Sequence, residues 1–165
     1  MFVEDKKNGG LFLETDPSLS DRFAEAGFGF KAGASRLFHP LEAAYLAKIG
    51  KSPISSCTPD SFILSQKKKD KAFPFAFAAY FTIRQTGRMV RPYANTGDFF
   101  RVYAPGVGRE EGRPSLLVCL LPGKLPSVKS IEEKVKVAHL ARLDLVIASG
   151  TEKELRFHKV AAFNF

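Results

Sequence analysis

The sequence predicts a mixed α/β (α+β) protein with two domains, a small N-terminal α/β domain over residues 1–70 and a C-terminal domain over residues 74–165. The clearest evidence is the run 98–163, whose polarity pattern predicts strand, loop, strand, helix, strand and strand. Two helices that begin at prolines precede it in the chain. Between the halves lies a cationic run, 66–71, which is too polar to bury and marks a hinge near residues 66–74.

The first half predicts one short strand and three helices. The strand covers 10–14, and a short helix over 19–26 is ended by Gly27. Pro40 opens a clearer helix over 40–49, with Gly50 beyond its end and His39 flanking or capping its start. Pro59 opens the next helix in the same way.

The second half predicts a sheet flanked by helices. Aromatic side chains at three- and four-residue spacing over 73–84 predict a helix whose stripe belongs to the core. The predicted strands are a hairpin over 89–93 and 98–104, a buried central strand over 115–121 and a last strand over 154–163. Ser130 and Glu133 have capping-box spacing, which predicts that a helix begins at Ser130, and 137–148 leads from helix into a buried strand.

Composition narrows the class of protein. The chain has 165 residues, 45% of them hydrophobic, and its net charge of +8 with a pI near 9.6 favours a nucleic-acid partner. Cys57 and Cys119 lack metal-ligand spacing, so we expect two buried thiols in a reducing compartment. Neither a membrane-length apolar run nor a secretory signal is found, and the sequence therefore predicts a cytoplasmic protein with no membrane partner.

Tyr103 is the most informative polar residue, because it ends an alternating strand just before the turn residues Pro105 and Gly106. The position by itself favours a structural role, as an aromatic residue at a strand end. The three histidines have no ligand or dyad spacing, and the glycine pairs lack the setting of a phosphate loop. The sequence therefore predicts neither a metal nor a cofactor.

Two segments of this chain resemble the archaeal tRNA-intron splicing endonucleases. The strand Asp98-Phe-Phe-Arg-Val-Tyr103 is similar to the family's DF-x-VY strand, and 137–148 is similar to the helix-to-strand run R-x-A-x-S-x-x-K-x-L-x-LA. In the first half, 39–51 resembles the family's helix L-x-L-x-EA-x-YL-x-x-x-G. The resemblance implies a nuclease-like C-terminal domain that cleaves RNA without metal, using a tyrosine base, a histidine acid and a lysine that stabilises the phosphorane.

By this resemblance Tyr103 keeps the tyrosine, whereas Arg113 stands at the position of the acid and Leu143, or less well Arg142, at that of the lysine. An arginine does not give up its proton readily, and a leucine carries no charge. The resemblance therefore implies a non-catalytic, structural subunit of a heteromeric enzyme, with a catalytic subunit and precursor tRNA as partners. Two alternatives stay open, namely a catalytic endonuclease that uses unaligned residues such as His158 or Arg142, and a stand-alone basic RNA-binding domain.

The family also assembles through two devices, a C-terminal strand that pairs between subunits and an acidic loop that enters a partner's basic cleft. Here the matching strand is 154–163 and the matching loop is 149–154, in which Lys153 dilutes the negative charge. The expected interface residues of this hetero-oligomer are Glu152, Glu154, Phe157, Val160 and Phe163.

Overall fold

A computed structural model of the chain describes residues 1–5, 7, 10–92, 98–106, 112–123 and 127–161. Its architecture is mixed α/β, as the sequence predicts, with two compact units, Met1–Phe77 and Ala78–Phe165. The boundary between the units falls within the fourth helix. In chain order the elements are β1 (Phe2–Glu4), β2 (Phe12–Glu14), α1 (Pro17–Glu25), β3 (Phe30–Ala32), β4 (Ser35–Phe38), α2 (Pro40–Lys48), α3 (Pro59–Lys69), α4 (Phe73–Gln85), β5 (Val90–Pro92), β6 (Phe99–Val102), β7 (Leu116–Pro122), α5 (Val128–Ala141), β8 (Asp144–Gly150) and β9 (Leu155–Val160).

The first unit has an antiparallel sheet in the order β1-β2-β4-β3. Phe2, Phe23 and Phe38 stack or meet edge to edge beneath it, and all three are buried. The sequence predicted only β2 of these four strands, because all four are three or four residues long and such short segments carry a weak alternation signal.

The start of α2 is fixed by two capping residues. The Nδ1 atom of His39 accepts a hydrogen bond from the N–H of Leu41 at 3.2 Å, which confirms His39 as the cap. The buried carboxylate of Glu42 accepts from the N–H of His39 at 2.9 Å and from the N–H of Gly29 at 3.0 Å. Burial lowers the pKa of His39 from 6.5 to about 4, so the imidazole stays neutral and keeps its acceptor nitrogen.

The second unit has a five-stranded sheet in the order β5-β6-β7-β8-β9. Strands β7 and β8 are parallel and joined through α5, whereas the other neighbours are antiparallel. Helix α5 covers one face of this sheet through a buried apolar cluster, which we call the α5 core: Phe99, Leu117, Cys119, Ala138, Leu145 and Ile147.

Two sequence-based expectations are wrong. Helix α5 begins at Val128 rather than Ser130, because the hydroxyl of Ser127 caps it one turn earlier and accepts from the N–H of Ser130 at 3.4 Å. Cys57 is exposed, since it follows a turn in which Ser56 has a φ of 62°. Cys119 is buried as expected, and its burial raises the pKa of the thiol to about 11.

Candidate functional site at one edge of the second sheet

Three strand ends meet where Tyr103 leaves the second sheet. The N–H of Tyr103 donates to the carbonyl of Met89 at 2.9 Å, and the N–H of Ser115 donates to the carbonyl of Val102 at 2.9 Å. The N–H of Asp144 in turn donates to the carbonyl of Ser115 at 3.3 Å. These bonds bring the end of β6 and the starts of β7 and β8 side by side, and we call this edge the tyrosine edge.

The side chain of Tyr103 is 8% exposed, so most of its surface is packed inside the unit. A general base has to come within hydrogen-bond reach of the substrate hydroxyl. The burial of Tyr103 is typical of an aromatic residue that contributes to the core at a strand end.

Leu143, for which the sequence resemblance predicts the position of the family lysine, belongs to the motif that ends α5. Arg142 adopts the left-handed conformation with a φ of 55°, and its N–H donates to the carbonyl of His139 at 2.9 Å. The N–H of Leu143 reaches back to the carbonyl of Ala138 at 3.0 Å. This pair of bonds is a Schellman motif, which is commonly completed by an apolar contact of the residue that follows the left-handed one. Leu143 makes that contact, because its side chain packs against the α5 core.

The cations of this region are exposed. Arg113 lies just before β7, and Arg142 lies just before β8. Lys159 on β9 forms an ion pair with Asp144 at 2.9 Å, with both side chains more than half exposed. The exposed side chains of Arg113 and Arg142 therefore give the tyrosine edge positive charge that can attract phosphate groups.

His158 does not join the tyrosine edge. It lies opposite Ile147 in the β8–β9 ladder, three residues along β8 from Asp144, which is roughly 10 Å of strand. Its Nε2 atom is 3.1 Å from the hydroxyl oxygen of the buried Ser149. His139 is exposed on α5, and within the described residues no group of three or more His, Cys, Asp or Glu could hold a metal ion.

The predicted interface residues occupy different environments. Glu152 and Glu154 are exposed in a four-residue turn, where the N–H of Thr151 donates to the carbonyl of Glu154 at 3.2 Å. Phe157 is 38% exposed on β9, whereas Val160 packs against the α5 core. Phe163 lies outside the described residues.

Gly150 makes a tight turn before β9 possible, because it has no Cβ. Its φ is 101°, and a Cβ added there would collide with the carbonyl oxygen of Glu154. The turn therefore holds Glu152 and Glu154 close to the sheet, at the end opposite the tyrosine edge.

Comparison with known proteins gives one consistent result. No protein-family model matches the chain. It is 25% identical over 170 residues to a tRNA-splicing endonuclease of Thermococcus onnurineus, covering 99% of this chain and 98% of the relative. A tRNA-splicing endonuclease of Thermococcus gammatolerans is 28% identical over 165 residues, with 96% of each chain covered. One of Pyrococcus abyssi is 23% identical over 160 residues, covering 94% and 92%. These similarities extend over nearly the full length of the chain and of each relative, and all three relatives are archaeal proteins named tRNA-splicing endonuclease.

Proposed function

We propose that this chain is the structural, non-catalytic subunit of an enzyme that removes introns from precursor tRNA at bulge-helix-bulge motifs. The observation that carries the proposal is the environment of Leu143. Its backbone closes α5 and its side chain packs on the α5 core, so the position of the family lysine is used for folding. Without a cation there, the charge of a pentacoordinate phosphorane has no stabilising partner from this residue.

The other two positions support the same function. Arg113 is exposed and permanently charged, so it can bind a phosphate but cannot serve as the acid that protonates the leaving 5′-oxygen. Tyr103 is mostly buried, which favours packing over proton abstraction. In this proposal the three catalytic groups come from a partner subunit that retains the tyrosine, histidine and lysine.

The partner contact in this proposal uses β9. This strand lies at the end of the strand order, and Phe157 is exposed on it. An edge strand with an exposed aromatic side chain suits pairing with a strand of another subunit, because such pairing satisfies backbone groups and buries apolar surface together. Glu152 and Glu154 are exposed beside it and are available to a basic surface of the partner. Within this assembly we propose residues 1–70 as an N-terminal α/β domain and 74–165 as the nuclease-like domain.

A cleavage assay tests the proposal. A bulge-helix-bulge RNA is incubated, with chelator present, with this chain, with a catalytic relative, and with both together. We expect no cleavage by this chain alone and cleavage by the mixture to a 2′,3′-cyclic phosphate and a 5′-hydroxyl. A mixture with an unrelated protein of the same net charge is the control for non-specific RNA binding. Robust cleavage by this chain alone would contradict the proposal.

A further inference from the structure

We propose that a cavity in the first unit binds a phosphate group, carried either by an RNA chain or by a free small molecule. The cavity has a volume of about 690 Å³ and lies between the start of α1 and the strands β2, β3 and β4. Its polar lining combines two cations with three hydroxyl groups, from Lys31, Arg36, Thr15, Ser20 and Ser35.

The two cations stand directly opposite each other. Lys31 on β3 and Arg36 on β4 are partners in the antiparallel ladder, so their side chains leave the same face with Cβ atoms about 4.5 to 5.5 Å apart. Like charges in this arrangement are destabilising. Among the described residues neither side chain has an ion pair or a hydrogen bond. An anion held between them would remove the repulsion.

Arg36 gives a second and independent observation. Its Nη1 atom is buried and has no hydrogen-bond partner among the residues that the structure describes. A buried charged donor without an acceptor is costly, and such a group in a native structure calls for a partner. The planar guanidinium presents parallel N–H groups that match two oxygens of a phosphate.

Two carboxylates, those of Glu14 and Asp21, also line the cavity. The Glu14 carboxylate is occupied, because it pairs with the terminal amino group of Met1 and accepts from the Ser52 hydroxyl and from the N–H of Asp16. Asp21 is exposed and is not ion-paired with either cation. The hydroxyl groups add neutral donors, and an anion with several acceptor oxygens satisfies the whole set.

Titration of the full-length chain with inorganic phosphate tests the site, with chloride adjusted to keep the ionic strength constant. In ¹⁵N-edited NMR spectra we expect saturable shifts of the amide signals of Thr15, Ser20 and Ser35. Lys31→Gln and Arg36→Gln should each weaken phosphate binding at least tenfold. Lys67→Gln removes one exposed charge from the end of α3, away from the cavity lining, and should stay within twofold of wild type.

Lys31→Gln decides the question even where Arg36→Gln perturbs the fold, because the Lys31 side chain is exposed and forms no ion pair among the described residues. Unchanged phosphate affinity in Lys31→Gln would overturn the proposal, as would the absence of saturable binding by wild type. A short single-stranded RNA added to the phosphate-saturated chain identifies the source. Displacement of the bound phosphate by the RNA would identify an RNA phosphate as the ligand of the cavity. Retention of the bound phosphate would identify a free phosphate compound as the ligand.

Discussion

The amide N–H of Leu143 donates to the carbonyl of Ala138, and the side chains of both residues belong to the same apolar contact surface beneath α5. This hydrogen bond is one of the two that define a Schellman motif, and an apolar contact between the same two positions commonly accompanies it. The backbone path therefore directs residue 143 into the fold. A cation at this position would have to leave the α5 core before its charge could act on a substrate.

Leu143→Lys should therefore destabilise the chain by about 1 to 2 kcal/mol, through loss of a partly buried apolar side chain. Urea unfolding followed by circular dichroism measures this free energy. Leu143→Met keeps the side chain apolar and of similar volume, so it is the matched control and should cost clearly less than Leu143→Lys. Equal stability of the lysine and methionine variants would show that this side chain does not pack on the core.

The second sheet could be predicted from the sequence, whereas the phosphate cavity could not. Apolar runs such as Leu116–Pro122 are typical of buried strands, and the residue pattern around Tyr103 marks a strand end. Strands β3 and β4 are only three and four residues long, and they are joined by Gly33 and Ala34 in a two-residue turn. Gly33 has a φ of 60°, which suits the first central position of a type II′ turn, and this glycine was the one available signal.

At the tyrosine edge the sequence does not predict the backbone conformation of Arg142. The residue types of Arg113 and Leu143 are the basis of the prediction that the acid and the lysine are missing. The sequence did not show that Arg142 takes the left-handed conformation and so turns Leu143 onto the core. Such a backbone conformation is usually supplied by glycine, so an arginine there gives no warning.

Tyr103→Phe in the assembled enzyme should change the cleavage rate less than about threefold, because removing a hydroxyl that is not the working base removes no transition-state interaction. Single-turnover cleavage of a bulge-helix-bulge RNA measures it. The same substitution at the matching tyrosine of the catalytic subunit is the control and should abolish most activity. A loss of about a hundredfold or more from Tyr103→Phe, with assembly intact, would show that this chain contributes an active site.

Acid should weaken the fold through His39. Its pKa is lowered to about 4 in the folded state. Between pH 6.5 and 4 the imidazole is therefore protonated in the unfolded chain but not in the folded chain. The free energy of unfolding is therefore unaffected by this group above pH 6.5. It falls by up to about 3 kcal/mol as the pH falls to 4. Protonation would also remove the acceptor that caps α2.

His39→Asn tests this effect, because asparagine caps a helix well but does not titrate. We expect the free energy of unfolding of wild type to fall more steeply than that of His39→Asn between pH 7 and pH 4, as measured by urea unfolding. Parallel curves for the two proteins would mean that His39 is protonated in the folded state as easily as in the unfolded chain.

Assembly should depend on the exposed surface of β9. Phe157 lies opposite Ala148 on the last strand of the sheet, and burying an aromatic side chain of this size contributes roughly 1.5 to 3 kcal/mol. Phe157→Glu should therefore weaken association with the catalytic subunit at least tenfold in sedimentation velocity experiments. Lys67→Gln lowers the net charge by the same one unit at the exposed end of α3, so it controls for charge and should assemble like wild type. A second variant, Phe163→Glu, tests the residues that follow β9 in the sequence. Equal assembly by wild type and both glutamate variants would exclude β9 and these residues from the subunit interface.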